Sequence, residues 1–151
     1  MTTTKLLGLT LLGSASLLAT AAPAEHVRSG GKLITATLTG AAERPGPGDT
    51  DGSGSITITI NPGQKRICYE LTVAGIDAPT AAHIHIAPVT SPGPVVIPFP
   101  APPLGASTGC INVTSRQAAQ LIAKPTAYYF NVHNAAFQAG AIRGQLARAA
   151  H

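Results

Sequence analysis

The stretch Ser53-Gly54-Ser55-Ile56-Thr57-Ile58-Thr59-Ile60-Asn61-Pro62-Gly63, followed by Arg66-Ile67-Cys68-Tyr69-Glu70-Leu71-Thr72-Val73-Ala74, decides the fold. Successive side chains of a strand point to opposite faces. Ile56, Ile58 and Ile60 therefore share a face that Thr57 and Thr59 avoid. On the returning segment Ile67, Tyr69, Leu71 and Val73 line one side, with Cys68, Glu70 and Thr72 on the other. Proline presets its own φ and glycine accepts a positive one, so Asn61-Pro62-Gly63 turns the chain between them. This is a β-hairpin with one apolar face.

Working outward, the same alternation recurs. Lys32 to Ala41 reads as a first strand, Thr80 to Ala87 as another and Gly109 to Val113 as a short one through Cys110. Tyr128 to His133 and Ala141 to Ala147 complete the set. Pro88 to Pro103 holds seven prolines in sixteen residues, and each removes a ladder donor. That segment is expected at a sheet edge or in an ordered loop, never as a central strand. One helix is expected, because Thr114 and Gln117 match a capping box ahead of Ala118, Ala119, Leu121 and Ile122; Pro125 stops it. Seven or eight short strands, one short helix and many Gly/Pro turns predict an all-β fold, an antiparallel β-sandwich. The loop Gly46 to Gly52 has two aspartates but lacks the ligand count of a calcium loop and reads as a turn.

The first residues read as a targeting signal. Lys5 precedes an apolar run, Leu6 to Ala19, and small-residue cleavage sites follow. The run is too short for a stable transmembrane helix, and no second one approaches that length. The expected organisation is a signal peptide over 1–24, a flexible segment over 25–32 and one domain over 33–148, giving a secreted or periplasmic protein. The formal charge of +4 is scattered and tryptophan is absent, so nucleic acid is not an expected partner. Two cysteines in an exported chain, Cys68 and Cys110, predict one disulfide closing a loop of about 43 residues. Asn112-Val113-Thr114 is an acceptor sequence for N-glycosylation in a eukaryotic secretory pathway.

The chemistry rests on histidines. In Ala82-His83-Ile84-His85 the two imidazoles share a face, and in Tyr129-Phe130-Asn131-Val132-His133 so do Tyr129, Asn131 and His133. Three neutral imidazoles from two strands suit copper or zinc. The competing account is a polar network: Asn131, Asn134 and Tyr129 are candidate partners that would satisfy the imidazoles without metal. Arg143 is expected to pair with Glu70 or backbone carbonyls, or else to steer an anion toward a metal pocket. His26 and His151 stand at the ends of the mature chain and are not obvious ligands. No nucleophile elbow, acid/base pair or phosphate loop is visible.

Leu38-Thr39-Gly40-Ala41-Ala42-Glu43, Cys68 to Val73, Ala82 to His85, Asn131 to Phe137 and Gly140 to Leu146 together resemble the CHRD domain. The likeness runs from about Leu33 to Ala147, in five blocks in the right order. This module is named from chordin and also occurs alone in exported microbial proteins. The resemblance implies an immunoglobulin-like or superoxide-dismutase-like β-sandwich. The His-x-His strand is similar to that of copper–zinc superoxide dismutase, but no further histidines stand in a long loop to build a second, bridged zinc site. In chordin the domains belong to an extracellular antagonist of bone morphogenetic proteins, and that binding does not carry over to a chain lacking chordin's other modules. The first expectation is thus an exported protein with a structural, adhesive or ligand-binding role toward an extracellular or envelope partner, without catalysis. The second is a histidine-based copper or zinc protein that carries metal.

Overall fold

The structure, a computed structural model, describes residues 31–149. The expected signal peptide, nearly all of the 25–32 segment, His26 and His151 lie outside the described residues. The strands are β1 (Lys32–Thr39), β2 (Ser53–Asn61), β3 (Arg66–Ala74), β4 (Pro79–Ile86), β5 (Val95–Phe99), β6 (Gly105–Asn112), β7 (Tyr128–Asn134), β8 (Ile142–Gln145) and β9 (Ala147–Arg148). One helix, α1 (Ser115–Ala123), separates β6 from β7. All strands join one sheet in the order β5-β4-β7-β8-β1-β2-β3-β6, with β9 alongside β1, and every pairing is antiparallel. The all-β expectation holds.

The sheet curls until it nearly closes. Ile34, Leu38, Ile56, Ile58, Ile67, Leu71, Ile84, Phe130, Val132 and Ile142 are almost fully buried on its concave side. Tyr69 of β3 meets Phe99 of β5 edge-on at 5.1 Å, and Phe99 meets Phe130 of β7 at 5.2 Å. Strands near opposite ends of the pairing order thus share one core. Period-2 patterning supplies the reason: a nine-stranded sheet with one apolar face buries it by folding that face onto itself. α1 packs Ala118 and Leu121 into this core. Its capping box forms as expected, with the Gln117 backbone N–H donating to Thr114 Oγ1 at 3.1 Å and the Thr114 backbone N–H to Gln117 Oε1 at 2.8 Å. The Gln117 side chain also donates to the Val96 carbonyl at 3.0 Å, which ties the helix to β5.

Several boundaries differ from the sequence expectation. β1 begins at Lys32, inside the segment expected to be flexible, and it ends at Thr39 rather than Ala41. There Gly40 opens a 3₁₀ turn, and a Cβ on Gly40 would lie 1.7 Å from the Asp49 carbonyl oxygen. β6 starts at Gly105, four residues early, because its long pairing with β3 outweighs its weak alternation. The last strand divides at Leu146, whose N–H turns to the Tyr128 carbonyl at 2.9 Å. The proline-rich segment supplies β5, at one edge of the sheet as expected. Cys68 and Cys110 are directly opposite on β3 and β6, with Cα atoms 4.0 Å apart, and form the expected disulfide. No helix among the described residues is long and apolar enough to cross a membrane.

Candidate metal centre

The convex faces of β4, β7 and β8 carry the polar residues. Every residue of β7 is buried, although only Tyr128, Phe130 and Val132 belong to the apolar core. Tyr129, Asn131 and His133 point the other way and are covered by loops. In register, His83 stands opposite Asn131, and Asn131 opposite Arg143; His85 stands opposite Tyr129, and Tyr129 opposite Gln145. The pleat thereby gathers residues far apart in the chain into one patch.

His83, His85 and His133 converge. One ligand atom from each lies within 4.8 Å of the others, and His83 Nδ1 is 3.1 Å from His133 Nε2. Tetrahedral coordination with bonds of ~2.1 Å needs nitrogens about 3.4 Å apart, so small side-chain rotations close the triangle. Two backbone carbonyls set the tautomers. The Gly93 carbonyl faces His85 Nδ1 at 2.8 Å, and the Gln138 carbonyl faces His133 Nδ1 at 3.0 Å. A carbonyl only accepts, so it keeps the proton on Nδ1 and leaves Nε2 with a free lone pair. His85 Nε2 is buried without a partner.

Burial pushes all three imidazoles below the ordinary histidine range. For His83 the neighbouring His133 and His85 add to the effect. His85 is lowered by burial and then by the Arg143 charge, against the opposing effects of the Gly93 carbonyl and the nearby Asn131 amide. His133 is lowered by burial and by His85, against the Gln138 carbonyl. Neutral imidazole is the form that ligates metal.

A rigid outer layer holds these rings. His85 stacks on Tyr129 with centroids 4.7 Å apart and planes within 6°. The Arg143 guanidinium lies 3.5 Å from the centroid of the same ring. Two groups that close cannot share one ring face, so Tyr129 is sandwiched between imidazole and cation. Arg143 is 1% exposed; its Nη2 donates to the carbonyls of Pro88 and Ser91 at 3.0 and 3.1 Å. Of the expected partners it takes carbonyls, while Glu70 sits on β3 among the threonines of β2 and β6. The Gly93 N–H donates to Tyr129 Oη at 3.3 Å, so one residue pins both Tyr129 and His85. A Cβ at Gly93 would lie 2.1 Å from the Ile86 carbonyl oxygen, which explains the glycine.

Asn134 turns elsewhere: its Oδ1 accepts from the Phe137 N–H at 2.8 Å and shapes the next turn. Asn131 belongs to the centre, with Oδ1 3.0 Å from His133 Nε2. Sequence reasoning missed Glu43, which is 3% exposed and lies beside Asn131 and Arg143. Burial raises its carboxyl above the usual range, against the Arg44 backbone, the Asn131 amide and the Arg143 charge. Its one signal was its place in the Leu38–Glu43 block. The carbonyls of Gly93 and Gln138 had none, since any residue has a carbonyl.

An all-β domain with a loop-covered polar patch on its convex face is the class these features define. The chain belongs to the CHRD domain family, whose model matches residues 34–146. No curated protein and no solved structure matches it.

Proposed function

We propose that this CHRD domain holds one copper or zinc ion through His83 Nδ1, His85 Nε2 and His133 Nε2. The observation that carries the reading is the pair of carbonyls, Gly93 and Gln138, which leave two lone pairs facing a third imidazole. The role is metal holding or carriage outside the cell and not turnover. Extracellular placement accords with the family and with the Cys68–Cys110 bond, and export would use residues 1–24 as signal peptide. The curled sheet is read as a sandwich of the immunoglobulin or superoxide-dismutase kind, which the Tyr69–Phe99 contact across its two halves supports.

The test is metal analysis of the full mature chain purified without a histidine tag, followed by titration of copper and zinc into the apo form. Saturable one-to-one binding, lost in His85→Ala with the circular dichroism unchanged, is the expected result. Sub-stoichiometric metal with no saturable binding overturns the proposal. The 3.1 Å His83–His133 contact would then be a hydrogen bond tying β4 to β7, in a domain with a structural or adhesive role.

A further inference from the structure

We infer that Asn131, through Oδ1, is the fourth ligand of this centre, which makes the site a three-nitrogen, one-oxygen site for a divalent ion. The inference rests on the three-histidine reading above. Asn131 holds the middle of the patch: it is opposite His83 across the β4–β7 ladder and two residues before His133 on the same face. It is diagonal to His85, and its amide lies near that imidazole.

The metal-free arrangement at His133 is one proton short. The Gln138 carbonyl lies 3.0 Å from Nδ1, and Asn131 Oδ1 lies 3.0 Å from Nε2. Both oxygens accept, yet a neutral imidazole has a single N–H to give. With that proton on Nδ1, Nε2 and Oδ1 face each other lone pair to lone pair. His83 Nδ1, 3.1 Å from the same Nε2, can give its one proton there but leaves Oδ1 unmet, and His85 Nε2 is a further buried nitrogen without a partner. A cation among these four atoms removes every such conflict at once.

Turning the amide over would also remove the clash, and Glu43 opposes that. Its buried carboxyl lies beside the Asn131 amide. Glu43 Oε1, an acceptor, and Asn131 Nδ2, a donor, are both buried and neither has a hydrogen-bond partner. The NH₂ end therefore belongs toward Glu43 and Oδ1 toward the histidines. Glu43 acts as the outer carboxylate that orients a ligand. An amide oxygen is a hard donor, so the set favours zinc or copper(II) over copper(I), which selects soft ligands.

The experiment uses the full mature chain loaded with cobalt(II) or zinc(II) and compares Asn131→Ala, Asn131→Asp, Glu43→Gln and His133→Ala. Asn131→Ala is expected to weaken zinc about tenfold or more and to change the cobalt d–d bands as water replaces the amide. Asn131→Asp is expected to bind more tightly than the parent, because a carboxylate takes the same position. Glu43→Gln should weaken binding while leaving the cobalt spectrum of the loaded protein unchanged. If His133→Ala abolishes binding while Asn131→Ala and Asn131→Asp both bind as the parent does, the fourth ligand is overturned and the three-histidine site stands. If the parent takes up no metal, or His133→Ala binds like the parent, both readings fall. Should Asn131→Ala not fold, Asn131→Asp decides alone, since unchanged affinity there overturns the inference.

Discussion

The two halves of the sheet use their convex faces in opposite ways. On β3 and β6 the outward residues Glu70, Thr72, Ala106 and Thr108 face solvent or are only half-buried. A covalent bond, Cys68–Cys110, joins that pair of strands. On β4, β7 and β8 the outward residues His85, Asn131, His133 and Arg143 are buried and polar, with His83 and Gln145 half-buried beside them, and loop carbonyls rather than a covalent bond hold the patch. Ser55 and Thr72 share a 2.9 Å hydrogen bond that water can replace at no loss. Arg143 and His85 have no such recourse, because a buried donor left unmade costs its full desolvation. The polar half is thus the costlier one to build.

Removing the covalent link should show the largest effect on stability. Cys68→Ser with Cys110→Ser is expected to lower the unfolding free energy by about 2–4 kcal/mol, the range for a bond closing a loop of this size. Urea unfolding of the mature chain measures it. Metal affinity should survive, since the histidines lie on the other half; a metal site lost with the disulfide would break the division between the two regions.

Next comes Arg143→Lys. An ammonium cannot stack flat on Tyr129 and reach the carbonyls of Pro88 and Ser91 as the guanidinium does. A loss of about 1–3 kcal/mol is expected, with hydrogen exchange accelerated at Ser91 and Gly93 and unchanged at Ile67 and Leu71. Uniform exchange across both halves would show that the loop is not held by Arg143.

The smallest effect is the pH dependence of the apo protein. Folding lowers the pKa of His83, His85 and His133, so the unfolded chain binds more protons below about pH 6.5. Stability is therefore present above that value and falls as pH drops below it, until the folded histidines also protonate. Glu43 is raised and has the opposite sign: its contribution is present below about pH 4.5, the unfolded value, and is lost as pH rises through the folded one. Thermal unfolding from pH 7.5 to 5 should show a falling Tm, flattened in a variant lacking the three histidines. A Tm independent of pH in the parent would mean that the rings are solvated.

The hairpin, the capping box, the edge position of β5 and the inward face of each long strand were legible because each is a local pattern. Period 2 places Ile56, Ile58 and Ile60 together whatever the partner strand is. The extent of β6 was not legible, since Gly105 to Thr108 alternates weakly and becomes strand by pairing with β3. Likewise, His83 and His85 could be assigned to one face and His133 to another strand's, but nothing local says that β4 and β7 are neighbours.

Alternation, turn chemistry and the even cysteine pair are properties of the chain read a few residues at a time. By themselves they determined an all-β domain and the residue types available for chemistry. Tertiary structure alone decided that β7 lies between β4 and β8 and that Gly93 and Gln138 offer carbonyls to particular ring nitrogens. It also put Glu43 behind Asn131. Those relations depend on sheet order and loop path, which are set by long-range burial of the apolar face. Backbone carbonyls are identical along the chain, so only the fold can tell which of them will hold an imidazole.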